Sequence, residues 1–511
     1  MKQRLSFGVR LYFLCNDALF KAKTTPEVCA QCFDIWRIPN IKASEERGRL
    51  FLKGHFTMIG KENQNGSAAI TSLCGEFLKH NNIPPELYEK YQVKRGLRNS
   101  DGTGVVAGIT NICNVHGYVV SEGEKVPAEG ELIYRGYSIN DIVAGIQKEN
   151  RFGFEETVYL LLFGDLPTQV QLDSFNALLS EYRELPPGFS EDMIFKAPSK
   201  NIMNKMARCA LALYSYDVDP EDQSLAAELN RAISVIAKLP SAMVDAYQIK
   251  RRVFDHESLY MHPLNPEECT AQSILSTLRS DRVYSEEEAK LLDLMLIIHA
   301  EHGGGNNSTF TCRTLTSSGT DAYSAYSGAI GSLKGHRHGG ANTKVIAQLE
   351  GFKSNIAHWD NDGEVKDYLA RIIRKEAGDG TGLIYGMGHA VYTISDPRAV
   401  ILKENAMKLA KGTDFEKEFM LLDAVERLTP EVFAEIKGNN KAMCANVDLY
   451  SGLVYRMLKI PVELNTPMFA VARIAGWAAH RIEELTTGNR IIRPAYKPIA
   501  KRRSYKTIEN R

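Results

Sequence analysis

The sequence predicts a mainly α-helical protein with a few short β-strands ahead of residue 140. Three observations lead there. Strand-like alternation is confined to residues 105–137. From residue 139 onward nearly every segment carries helical spacing with its own start and stop signals. The segment Leu291–Ile298 is apolar nearly all round, as only a helix inside a large core can be. Strands alternating with helices, which a doubly wound sheet needs, are missing.

In chain order, residues 1–74 lack periodicity and read as an N-terminal extension. Its first segment, Met1 to Lys23, carries Lys2, Arg4, Arg10, Lys21 and Lys23 against Asp17, without the apolar run and cleavage site of a secretory signal. Residues 105–120, rich in Val, Ile and Thr, and 130–137 predict two or three strands, with Gly108 and Gly117 as turn signals. Helices follow over 139–147 and 155–163, the latter stopped by Gly164 and Pro167. Others are predicted over 173–184, 204–214 and 224–238. The helix over 285–302 starts with a capping box, Ser285 to Glu288, and stops at Gly303-Gly-Gly305. His299 and His302 are expected in its last turn, on one face, where the helix C-terminus favours their protonated form.

Composition bounds the function. The chain has 511 residues, 44% hydrophobic and 24% charged, an ordinary globular profile that supports a core without disulfides or metals. Lys+Arg and Asp+Glu both number 62, which argues against a nucleic-acid partner and leaves room for a small anionic substrate. The nine scattered cysteines read as reduced thiols, hence a cytoplasmic protein. The isolated pair Cys29 and Cys32 lacks the second pair or βαβ context of a zinc or redox motif. No run approaches the roughly 18 apolar residues of a membrane span. The basic tail Lys501–Arg503 reads as solvated.

Four polar clusters carry the chemistry. They are His299-Ala-Glu-His302 before a glycine run, Gly335-His336-Arg337-His338-Gly-Gly-Ala-Asn342, Gly386-Met-Gly388-His389 with Asp396-Pro-Arg398, and Asn446-Val-Asp448. Glycine beside histidine lets backbone approach a ligand closely. Asp448 alone reads more readily as a helix N-cap than as a base. Any single histidine alone reads as structural. Together the clusters admit a metal site or metal-free acid–base catalysis. The metal reading lacks an H-E-x-x-H signature, a cysteine in the clusters or spaced carboxylates; converging His, Asp and Arg favour acid–base work.

These segments resemble, in order, the signatures of the citrate synthase family. To them are added Phe469–His480 with Arg473, Ile492-Arg493-Pro494, and the early strand region Pro127–Tyr137; the likeness spans roughly residues 100–500. The resemblance implies an acyltransferase that condenses acetyl-CoA with oxaloacetate and converts the acyl group to alkyl on transfer. It implies Asp448 as base, His338 as partner of the enol or enolate oxygen, and His389 as donor to the ketone. His302, Arg398, Arg473 and Arg493 bind oxaloacetate, and Gly386 and Gly388 lie beside CoA. Arg493 reaches into the neighbouring site of a homodimer. No metal or other cofactor is implied, since CoA is a substrate. Thr393 stands where some relatives carry a basic residue near the CoA phosphates. The expected architecture is a large helical domain, 75–341 with 464–511, and a smaller one, 342–463, closing over a cleft with hinges near Gly339-Gly340 and Pro461. A 2-methylcitrate synthase using propionyl-CoA is the nearest alternative. A catalytically silent relative and a metal-dependent hydrolase are more distant ones.

Overall fold

The computed structural model describes residues 70, 73–79, 81, 83–99, 102–121, 124–438, 443–488 and 490–511. The segment Met1–Lys23 and the Cys29–Cys32 pair lie outside the described residues. The chain forms two compact units, residues 1–90 and 91–511. In the first, residues 73–79 and Glu86–Lys90 are helical and carry no buried side chain. The second unit holds all the predicted site residues.

That unit opens with a three-stranded antiparallel sheet, β1 (Cys113–Ser121), β2 (Glu124–Tyr134) and β3 (Tyr137–Ser138), ordered β1-β2-β3. The register shifts between His116 and Tyr118, around the Gly117 turn signal. Residues 105–112 precede the first strand instead of joining it. Fifteen α-helices follow among the described residues. Ser138 caps α1 (Ile139–Lys148) through the Asn140 amide, and α2 (Phe154–Phe163) ends on Gly164 in the left-handed region. α3 (Gln169–Tyr182) starts a turn earlier than predicted, because Thr168 and Gln171 form a capping box. α4 (Ile202–Ala212) is capped by Asn201. α5 (Leu225–Lys250) runs past its predicted end at 238 and through Pro240. Leu239, Ala242, Met243, Val244 and Ala246 are all buried, and their packing outweighs the lost backbone bond.

α6 (Thr270–Leu278) and α7 (Glu286–His299) lead toward the site. The Ser285–Glu288 capping box is present, and every residue of α7 from Leu291 to His299 is buried. α7 ends at His299, so His302 lies beyond the helix and not in its last turn. α8 (Asn307–Thr316), α9 (Ala322–Leu333) and α15 (Asn465–Thr487) complete this part of the core. α15 packs against α2, α4, α5, α7, α8 and α9 and buries Arg473, Trp477, His480 and Arg481 completely. Between α9 and α15, α10 (Ala341–Asn355), α11 (Asp362–Ile373), α12 (Pro397–Ala410), α13 (Phe415–Lys437) and α14 (Asp448–Met457) pack among themselves. No helix among the described residues is long and apolar enough to cross a membrane.

Candidate active site

Two loops meet to present His389 and Asp448. Gly386 and Gly388 have φ of +84° and +86°, which L side chains adopt only with strain. Gly386 has a second reason to be glycine: a Cβ there would stand 2.8 Å from Leu449 Cα. The Asn446 amide donates to Gly386 O at 2.8 Å and the Gly388 amide to Cys444 O at 2.7 Å. The Asn446 side chain joins the two, donating from Nδ2 to Gly388 O at 2.9 Å and accepting the Asp448 amide on Oδ1 at 3.0 Å. Asp448 therefore opens α14 with its own carboxylate free of capping duty; Val447 holds the cap position.

The sheet seats the other side of the His389 loop. A Cβ on Gly130 of β2 would lie 2.1 Å from Ser395 O, and one on Gly117 would lie 2.9 Å from Val391 O. The Gly130 amide donates to Ser395 Oγ at 3.1 Å, and Tyr392 Oη donates to Glu131 O at 3.3 Å. Backbone thus lies on backbone, and residues 391–397 are fixed just after His389.

The three site histidines are neutral, and two have defined tautomers. His389 Nδ1 accepts the amides of Val391 and Tyr392, both at 3.1 Å, so its proton is on Nε2. The ring stacks on Tyr392 at 4.6 Å and meets His302 edge-on at 5.2 Å. His338 Nε2 faces the Ser308 amide at 3.4 Å and hydroxyl at 3.1 Å. An amide only donates, so the His338 proton sits on Nδ1. Burial, then the Arg398 charge, pushes His389 down to about 4. Burial, then Arg473, does the same to His338. His302 is held well below its ordinary value by burial and by Arg398, and its Nε2 is buried without a partner among the described residues. The predicted protonation of His299 and His302 by the helix terminus is overturned: burial outweighs the dipole, and His299 falls to about 3. Burial also pushes the Asp448 carboxyl up to about 6, against the pull of Arg398.

The arginines differ. Arg398 forks onto Asp396, Nε to Oδ1 at 3.0 Å and Nη2 to Oδ2 at 2.8 Å, while Asp396 also caps α12 and accepts the Val447 amide at 3.3 Å. Arg473 donates from Nε to His299 O at 2.7 Å; its Nη1 and Nη2 are buried with no partner among the described residues. The electrostatic influence of Arg398 reaches His299, His302, His389 and Asp448, and that of Arg473 reaches His299, His302 and His338. His302, His338, His389, Arg398, Arg473 and Asp448 therefore form one cluster. Arg493 does not join it: the residue is exposed in the segment after α15, without a hydrogen bond or ion pair among the described residues. Sequence reasoning passed over Asp396, Asn446 and Ser308. The first two stand inside quoted motifs; nothing in the spacing of Ser308 marks it.

Neutral imidazoles, a carboxyl raised toward neutrality and buried guanidiniums define an acid–base enzyme for a small anionic substrate. Residues 99–495 match the family model described as citrate synthase, C-terminal domain. Citrate synthase of Haloferax volcanii is 33% identical over 371 residues, covering 71% of this chain and 88% of that protein. The 2-methylcitrate synthase 1 of Corynebacterium glutamicum is 30% identical over 416 residues, covering 80% and 97%. The crystal structure of citrate synthase from Pyrobaculum aerophilum superposes with a TM-score of 0.65 at 28% identity, covering 79% of this chain and 93% of that one. The chain belongs to the citrate synthase family, acyltransferases that convert the acyl group to alkyl on transfer.

Proposed function

We propose that the protein condenses acetyl-CoA with oxaloacetate and water to give citrate and CoA. One observation carries the substrate side of this reading: Arg473 is fully buried, with two terminal nitrogens unpartnered among the described residues. Unmade charged hydrogen bonds in a protein interior are costly, and a carboxylate presents the matching fork.

The thioester methyl is a weak carbon acid. Asp448 takes its proton, and a raised carboxyl is a stronger base than an ordinary one. His338 donates from Nδ1 to the thioester oxygen as charge develops there. His389 donates from Nε2 to the ketone oxygen, and the enol carbon attacks the ketone carbon. The alkoxide takes the His389 proton, which the proton abstracted by Asp448 replaces, and water then cleaves the thioester in the same pocket, its hydroxyl going to the acyl carbon and its proton to the sulfur as CoA leaves. Arg398, Arg473 and His302 hold oxaloacetate, with Arg493 contributed across a homodimer. CoA lies by Gly386 and Gly388. Residues 342–463 close over the cleft and exclude water. The chemistry calls for no metal or other resident cofactor.

A free-thiol assay with oxaloacetate and acetyl-CoA tests the reading. CoA should be released by the native protein and not by Asp448→Ala, which should still bind oxaloacetate; full activity in that variant would sink the assignment. The 30% identity to a 2-methylcitrate synthase keeps propionyl-CoA as the second candidate. One methylene is worth only about 1–3 kcal/mol in a pocket, so kcat/KM for the two thioesters decides between them.

A further inference from the structure

Glu301 is a buried carboxylate that the reaction above does not use. It lies two residues past the end of α7 and is fully excluded from solvent. Its Oε1 accepts the Gly303 amide at 2.5 Å and His480 Nε2 at 3.0 Å; its Oε2 has no partner among the described residues. His480 Nδ1 accepts Arg313 Nε at 3.0 Å and Nη2 at 2.7 Å, so the His480 proton sits on Nε2 and is donated to Glu301. Arg313 is held in turn by Glu483 and by Glu484, the latter at 2.7 Å.

α15 is cut away to admit this carboxylate. A Cβ on Gly476 would stand 2.0 Å from Glu301 Oε2. Gly476 is one helical turn from Arg473, whose Nε is tied to His299 O at the end of α7. Carboxylate and guanidinium thus flank the same helix end with no hydrogen bond between them. Arg398, by contrast, is forked directly onto Asp396. Burial pushes the Arg473 guanidinium down, and Glu301 is the leading group opposing that; burial pushes Glu301 up, but His480 and then Arg473 hold it below its ordinary value.

We propose that Glu301 is a positioning residue, a counter-charge kept at a distance, which lets Arg473 stay charged inside the protein with both terminal nitrogens free, and which lowers affinity for the dianionic substrate in return. The direction of the affinity effect rests on the oxaloacetate reading. Removing the charge while keeping the shape makes the pocket more positive and leaves Arg473 uncompensated.

In the full-length protein, Glu301→Gln should lower the melting temperature and tighten oxaloacetate binding about tenfold by calorimetry, the scale of one charge across several ångströms of protein. The KM for acetyl-CoA should be unchanged, and Glu301→Asp should keep the native oxaloacetate affinity. Unchanged or weaker oxaloacetate binding in folded Glu301→Gln overturns the proposal, because a merely structural role loosens the site. Should that variant not fold, Glu301→Gln added to Arg473→Gln supplies the measurement. It then removes a buried charge that Arg473 no longer compensates and should raise the melting temperature, and a further loss refutes the coupling. A native protein that fails to bind oxaloacetate would count against the substrate reading alone, since the melting comparison needs no substrate.

Discussion

Replacing Asp448 by Asn should abolish turnover and make the folded protein more stable at pH 8. Burial raises this carboxyl from its ordinary 3.8 to about 6, with Arg398 opposing and Asp396 adding to the shift. At about 1.4 kcal/mol for each factor of ten in an ionisation constant, the native fold favours the protonated form by about 3 kcal/mol. A raised folded pKa gives stability that is fully present below the unfolded value and is lost as pH rises through the folded one. The native enzyme therefore bears the whole cost of its ionised base above about pH 7, while Asn bears none of it. For a chain this long the specific unfolding entropy converts 1 kcal/mol into about 1 °C, so Asp448→Asn should melt about 3 °C above the native protein at pH 8 and by about half that margin at pH 5. Thermal melts at the two pH values, with CoA release measured on the same samples, make the test. An Asn variant that melts at or below the native temperature at pH 8, or a gap that does not narrow at pH 5, refutes the claim that burial is what tunes this base.

Three further outcomes follow from the same geometry. The acid limb of kcat/KM should fall with an apparent pKa near 6, where Asp448 protonates, because His338 and His389 are neutral until about 4; a limb set near 4 would assign the base elsewhere. Oxaloacetate at a hundred times its Kd should stabilise the native protein by about 2.7 kcal/mol, visible as a higher melting temperature, and Arg473→Gln should abolish that shift at the same concentration. Gly130→Ala puts a methyl 2.1 Å from Ser395 O. It should cost about 1–3 kcal/mol in stability and displace the His389 loop enough to lower kcat on the order of a hundredfold, with the KM for acetyl-CoA as the comparison.

Most of the helices were legible because their signals are local. The capping box at Ser285 acts within one turn, so the sequence alone states it. The failures are those where a distant surface decides. The helix predicted over 224–238 in fact continues through Pro240 to Lys250, because the residues after the proline are buried against other helices. The early end of α7 follows the same rule. The chain leaves the helix where Tyr134 of β2 donates to Glu301 O at 2.9 Å, a partner more than 160 residues away. Gly117 read as a turn signal, and Gly130 only as the start of a strand-like stretch. Neither spacing announces that backbone from residues 391–397 lies against them.

The site shows the same division more sharply. Which side chains converge was readable for all but Arg493, since glycine-flanked histidines and an Asp-Pro-Arg run leave a pattern. Their protonation was not, because charge state depends on what excludes water. The helix C-terminus favours a protonated His299 and His302, but a macrodipole is worth at most about 2 kcal/mol. Complete burial beside two guanidiniums outweighs that by holding His299 near 3. The consequence reaches the mechanism. A protonated His302 beside Arg398 and Arg473 would gather three buried positive charges, and neutral histidines avoid that. Among the described residues, the positive charge that remains in this cluster is confined to two arginines, one neutralised at contact by Asp396 and one left with free donors. Substrate charge can therefore be matched chiefly at Arg473, and the imidazoles serve as neutral hydrogen-bond donors to the oxygens on which charge develops.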